Sequence, residues 1–150
     1  MDRELQVKLA VYGHFAETGR RPSPDEIGDR VGIEVPDVLD AYRRLRAQRV
    51  LLLEADAASV RMAPPFSGVA TQHVVVAGGV SYFANCAWDA LGIPAALRQP
   101  ATVHSCCEQS REPLRLAVGP RGPEGPEASG GWLFHCAVPA ARWWDDLVFT

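Results

Sequence analysis

The sequence predicts an α+β protein, with a helical front and a strand-rich back. Three observations carry that reading. Residues 1–48 hold three stretches whose apolar residues recur at helical spacing. From Val50 onward the apolar runs shorten to between four and seven residues, bounded by Gly, Pro and Asp. One helical stretch then returns near Cys86, between two groups of strand-like runs.

Leu5, Leu9, Tyr12 and Phe15 give residues 1–18 a helical apolar face, and Gly19 supplies the stop. After the short connection Arg20-Arg21-Pro22, Ser23 precedes Pro24, the favoured first helical residue, and Glu26 follows three positions after Ser23. This is a capping box opening a short helix with Ile27 and Val31 inside, closed by Gly32. A third helix over 35–48 buries Val38, Leu39, Tyr42 and Leu45. Strand-like runs Val50–Glu54 and Ser59–Met62 follow, joined by Ala-Asp-Ala-Ala. Three helices and a hairpin make a winged-helix-like pattern.

Ala63-Pro64-Pro65-Phe66-Ser67-Gly68 reads as a hinge, dividing a winged-helix-like packing domain, 1–66, from a small mixed-sheet α+β domain, 67–150. In the second domain Gln72–Val76 is a strand, Ala77-Gly78-Gly79 a turn and Val80–Phe83 the return strand. The Cys86 helix then meets Gly92 and Pro94, and Pro94 either ends it or starts the next turn. Thr102–Ser105 and Leu114–Val118 flank a loop over Cys106–Pro113. Gly119–Gly131, rich in Gly, Pro and Glu, reads as a mobile loop, Trp132–Val138 as a strand and Ala140–Leu147 as a short helix carrying Trp143 and Trp144.

With 150 residues and 47% hydrophobic content the chain suits one compact unit or two small subdomains sharing a core. A net charge of −3 provides no field to draw it to nucleic acid or anionic lipid. Arg43, Arg44, Arg46 and Arg49 lie where a recognition helix would sit. Residues 1–66 nevertheless hold ten basic and eleven acidic side chains, without the basic excess of a DNA-binding module. A solvated Arg face on a packing domain is the better reading, and nucleic acid is not an expected partner. The N-terminus lacks the pattern of a signal peptide, and no apolar run reaches the ~20 residues a bilayer requires. A cytoplasmic protein without a membrane partner is therefore expected, its four cysteines held as thiols.

The chemistry-bearing residues centre on Cys86 and Asp89. Three residues apart on one helix, their Cβ atoms lie roughly 5–6 Å apart. A thiolate can grip a soft metal, and a carboxyl group beside it can move a proton. At a helix start the backbone dipole is expected to lower the Cys86 pKa, with Asn85 as a helix cap. A free Cys is more often a small buried hydrophobe, but an Asp within one turn would be costly to bury unpaired. Vicinal Cys106-Cys107 could bind a soft metal, or could simply face opposite sides of a strand. His104 lies close by, but H-x-C-C has no zinc-site spacing. Cys136, after His135 in an apolar run, reads by default as buried structure.

Four blocks together resemble the alkylmercury (organomercurial) lyase family. They are Met62-Ala63-Pro64-Pro65-Phe66-Ser67, Gly78-Gly79 with Tyr82, Asn85-Cys86-Ala87-Trp88-Asp89-Ala90-Leu91 with its Ile93-Pro94-Ala95 continuation, and Ser105-Cys106-Cys107. The Cys-x-x-Asp block is the most specific. The resemblance implies a lyase-like second domain that cleaves carbon–mercury bonds by protonolysis, giving a hydrocarbon and Hg(II). It implies Cys86 as the first ligand thiol, Asp89 as the proton shuttle and Cys107 as a further, structural family cysteine. No cofactor is implied: mercury is substrate and product metal. The expected partners are an organomercurial small molecule and small thiols or a mercury-handling thiol protein.

The family's second thiol aligns just after Thr150, so the C-terminal segment that carries it is expected to be lacking. Cys136, fifteen residues before that position with a helix expected between, and Cys107 or Cys106, which have no geometric case from the sequence, are the candidates for an additional metal thiol. Two other readings compete. One is a non-catalytic thiol binder that holds mercury or copper through Cys86 with Asp89 or another thiol. The other is a winged-helix transcription regulator responding to metal, against which the charge balance argues.

Overall fold

A computed structural model describes residues 2–125 and 130–148. Helix α1 spans Arg3–Thr18 and ends at Gly19, whose left-handed backbone (φ 71°) lets its N–H return to the Phe15 carbonyl. The buried face of α1 is Val7, Ala10, Val11, His14 and Phe15. Leu5 and Leu9 are exposed, contrary to the sequence reading. The apolar residues of this helix occupy two faces, and the one with Val7, Val11 and Phe15 turns to the core. Helix α2, Pro24–Val31, opens with both hydrogen bonds of the capping box: the Glu26 N–H donates to the Ser23 hydroxyl, and the Ser23 N–H to the Glu26 carboxylate. Helix α3, Val35–Ala47, buries Val38, Ala41, Tyr42 and Leu45, while Leu39 packs partly buried at its margin. Carboxylates hold several arginines of this front: Arg44 pairs with Glu4, Arg43 with Asp40, and Arg30 with Glu17.

Strands β1 (Leu52–Leu53) and β2 (Val60–Ala63) form the expected hairpin, shorter than the apolar runs. The segment expected as a hinge is instead a tight turn. Ala63 pairs with Phe66, so β2 leads directly into β3 (Phe66–Ser67). Phe66 is also the centre of an aromatic cluster. It stacks on Phe15 at 5.5 Å and 6°, and lies 5.6 Å from Tyr82. Aromatic contact of this kind ties helix α1 to the sheet, as does the Tyr82 hydroxyl, which donates to the Ala16 carbonyl at 2.7 Å.

Strands β4 (His73–Ala77) and β5 (Val80–Ala84) pair through a two-residue turn, Gly78-Gly79, with φ of 56° and 80°. Helix α4 (Ala87–Leu97) follows, then β6 (Ala101–Cys106), β7 (Pro113–Gly119) and β8 (Gly122–Glu124). The sheet order is β1-β2-β3-β5-β4-β6-β7-β8. Among the described residues every pairing is antiparallel, which corrects the expected mixed sheet. The physical reason is the α4 crossover. It carries the chain past β4, so β5 and β6 run the same way but lie on opposite sides of β4 and never pair.

Three further expectations change. Pro94 neither ends α4 nor starts a turn; it sits buried inside the helix, which continues to Leu97. Part of the expected loop 119–131 is strand β8, and Pro126–Ser129 lie outside the described residues. Residues 132–138 form no strand; they run without a sheet partner into the expected short helix, which is a 3₁₀ helix over Ala140–Asp145. Among the described residues no helix is long and apolar enough to cross a membrane.

Candidate functional site

Strand β5 delivers the chain to the start of α4, and Cys86 is itself the N-cap there, in an extended conformation with φ −144°. Asn85 was expected as the cap. Its side chain turns elsewhere, donating from Nδ2 to the Leu147 carbonyl at 2.9 Å. The first turn of α4 closes with the Ala90 N–H on the Cys86 carbonyl at 3.0 Å, which places Asp89 over Cys86. The Cys86 thiol donates to Asp89 Oδ2 at 3.5 Å, within the longer reach of a sulfur donor. The thiol–carboxyl pair is therefore formed as the spacing implied.

Its electrostatics differ from the expectation. Burial pushes the Cys86 thiol up to about 11, overriding the backbone N–H groups of Asp89 and Trp88, which act to lower it. The helix start does favour the thiolate, but removal of water costs more. Burial also raises Asp89, to about 6, against the opposing hydrogen bonds from Cys86. Near neutral pH the pair thus stands as a thiol beside a carboxylate that readily takes a proton.

The pair opens onto a cavity of about 170 Å³. Met62 and Pro64, from β2 and the turn after it, form one wall, and Trp88 of α4 another. Trp143, Trp144 and Leu147 add the C-terminal segment to the lining. That segment is tied down twice: by Asn85 on Leu147, and within itself by the Trp143 indole N–H on the Val138 carbonyl at 3.0 Å. Trp88 lies 6.1 Å from Trp143 and 5.8 Å from Phe134, ring centre to ring centre. At Gly92 an added Cβ would lie 3.3 Å from the Pro65 side chain, so α4 and the Pro64-Pro65 turn sit close together.

Cys86 is the one cysteine of the four that lines this cavity, and all four are free thiols. Cys106 ends β6, with its sulfur 4.0 Å from the Arg111 guanidinium. Cys107 lies in the following turn, where its N–H donates to the Glu112 carbonyl. The Ser110 hydroxyl, then the backbone N–H groups of Ser110 and Gln109, hold the Cys107 thiol below its usual range. Cys136 is exposed, against the expectation of burial, because residues 132–138 join no sheet. Among the described residues no group of three or more His, Cys, Asp and Glu side chains is placed to hold a metal ion. His104 is likewise exposed, on β6.

Sequence reasoning did not assign Met62, Pro64, Asn85, Trp143, Trp144 or Leu147 to the site. Met62 and Pro64 stood in a block that carried the resemblance, and the adjacent tryptophans were a visible signal whose position no local pattern could give.

A thiol and a carboxyl group in contact thus line one largely apolar cavity. The family model for alkylmercury lyase, MerB, matches residues 66–150, more than half the chain, and the chain belongs to that family. Among solved structures it is similar to the mercury-bound form of MerB2, with 21% identity and a TM-score of 0.63. That likeness covers 83% of this chain and 60% of the other, and shows a shared α+β fold. No curated protein matches the chain.

Proposed function

We propose that this chain cleaves organomercurials by protonolysis, with Cys86 as the capturing thiol and Asp89 as the proton carrier. One observation carries the proposal: the 3.5 Å contact between the Cys86 thiol and the Asp89 carboxylate at an apolar cavity. In the first step Cys86 passes its proton to Asp89 as its sulfur bonds to mercury, displacing the group opposite the organic substituent. In the second, Asp89 returns that proton to the mercury-bound carbon. The carbon–mercury electron pair becomes the new C–H bond, the hydrocarbon leaves, and Hg(II) stays on Cys86 beside the regenerated carboxylate. A small thiol from solution can supply a second sulfur that carries the metal away; Cys106, Cys107 and Cys136 do not line the cavity.

The raised Asp89 pKa suits both steps, because a general acid–base group works best with a pKa near the working pH. In this reading residues 67–150 carry the chemistry, and residues 1–66 form a winged-helix-like unit that packs against them and contributes Met62 and Pro64 to the cavity. The paired arginines of helices α2 and α3 favour this packing role over DNA binding.

The test is hydrocarbon release from a simple organomercurial in excess small thiol. Cys86→Ala should lose capture and release together. Asp89→Asn should still bind mercury through the thiol, more slowly without the carboxylate that takes its proton, and should slow hydrocarbon release by roughly 10²–10⁴-fold, the usual cost of losing a general acid–base group. Capture through Cys86 with no hydrocarbon formed by the unaltered chain would refute the lyase reading and leave a thiol binder of mercury.

A further inference from the structure

We propose that Trp88 and Trp143 make this site selective for uncharged aryl organomercurials over small alkyl ones, a specificity that rests on the reaction proposed above. The cavity, about 170 Å³, slightly exceeds the size of an apolar protein cavity, about 150 Å³, that takes up one benzene molecule. Its walls are matched to such a ring. Trp88 and Trp143 meet at 63°, with centres 6.1 Å apart, so they present a corner of one face and one edge. A phenyl group on a mercury held by Cys86 can lie in that corner with offset and edge contacts to both rings, the arrangements aromatic pairs prefer. A methyl group fills neither wall. Two such contacts correspond to a preference of about tenfold or more.

The corner is preset. The Trp143 indole N–H is held by Val138, and Asn85, next to Cys86 in the chain, holds Leu147 of the same segment. Trp143 is thus fixed before any ligand arrives, and its side chain need not be ordered on binding. Charge narrows the class further. Among the described residues Asp89 is the one acidic group on the cavity wall, and no basic side chain lines it. An aryl group bearing a carboxylate would lose its water in this apolar cavity with no basic side chain to pair with it.

The experiment presents phenylmercury and methylmercury to the full chain in competition, under excess small thiol. Occupancy at Cys86 is read by native mass spectrometry, and benzene and methane by gas chromatography. Capture, not rate, measures the preference, since aryl and alkyl bonds differ in their own reactivity. The expected result is a phenyl preference of about tenfold or more, falling to within about threefold in Trp143→Leu and largely kept in Trp143→Phe. A second arm needs no variant: phenylmercury should outcompete 4-carboxyphenylmercury in the unaltered chain. Equal capture of phenyl and methyl compounds with both cleaved leaves the reaction standing and overturns the aryl selectivity. A preference that Trp143→Leu does not change, or equal capture of the carboxylated compound, overturns it too. If neither compound is captured at Cys86, the lyase reading falls and this inference with it.

Discussion

Replacing Asp89 with asparagine should stabilise the protein while disabling its proposed chemistry. Burial raises the Asp89 carboxyl from 3.8 to about 6, so the fold disfavours the charged form relative to the unfolded chain. The neutral acid carries no such penalty. The contribution of Asp89 to stability is therefore at its best below about pH 3.8. It declines between the two pKa values and is fully lost above about 6. A raise of about two units corresponds to about 3 kcal/mol at neutral pH, and linkage reduces this to about 1 kcal/mol at pH 4.5. The substituted amide has no charge to desolvate. Its oxygen can still accept from the Cys86 thiol, but its NH₂ gains no defined acceptor, which offsets about 1 kcal/mol. The expected gain at pH 7.5 is thus about 2 kcal/mol, or roughly 4–8 °C in Tm for a chain of this size. Urea unfolding of both proteins at pH 7.5 and 4.5 gives the measurement. A variant no more stable than the parent at pH 7.5, or an advantage that fails to shrink at pH 4.5, would refute the burial argument for Asp89.

Two further outcomes follow from the same electrostatics. Alkylation at pH 7.5 should mark Cys107 before Cys86, because turn donors lower the first thiol while burial raises the second; mass-spectrometric mapping that finds Cys86 labelled first would contradict the burial assigned to it. Burial, opposed by the nearby Glu108 charge, lowers the His73 pKa below 6.5, and His14 is lowered by burial as well. Their neutral forms therefore support the fold above about pH 6.5, and that support is lost as pH falls from there through the folded-state values. His73→Gln should flatten the loss of urea midpoint between pH 7 and 5.5, and an unchanged slope would show that His73 does not contribute.

The thiol–carboxyl pair was legible because it is local. Cys86 and Asp89 share one helical turn, and an i,i+3 contact follows from helix geometry alone. The same holds for the Ser23–Glu26 capping box and the Gly19 stop, where a few adjacent residues decide the structure. The failures begin where distant chain segments decide. Leu5 and Leu9 fit a helical face as well as Val7 and Val11 do, and only packing against the sheet chooses between them. Pro94 is a breaker by local rules, yet the helix runs through it because that residue is buried in the interior. Residues 132–138 have the composition of a strand, but Phe134 is engaged by Trp88 and the segment pairs with no ladder.

The wrong sign for the Cys86 pKa has the same origin and the largest consequence. A helix start is visible in sequence and argues for a lowered thiol. The surroundings that withdraw water come from Met62 and Pro64 on one side and Trp143, Trp144 and Leu147 on the other. Those residues lie more than twenty positions before the pair and more than fifty after it, so no local pattern can register them. Their combined effect is to hold the sulfur as a thiol and to bring the carboxyl near neutral pH. An activated thiolate standing free would need no neighbour to accept its proton, and Asp89 would have no proton to return. With the thiol protonated, the proton that capture releases is the one cleavage consumes. The distant apolar residues are therefore part of the proposed chemistry: by enclosing Cys86 they make Asp89 necessary to it.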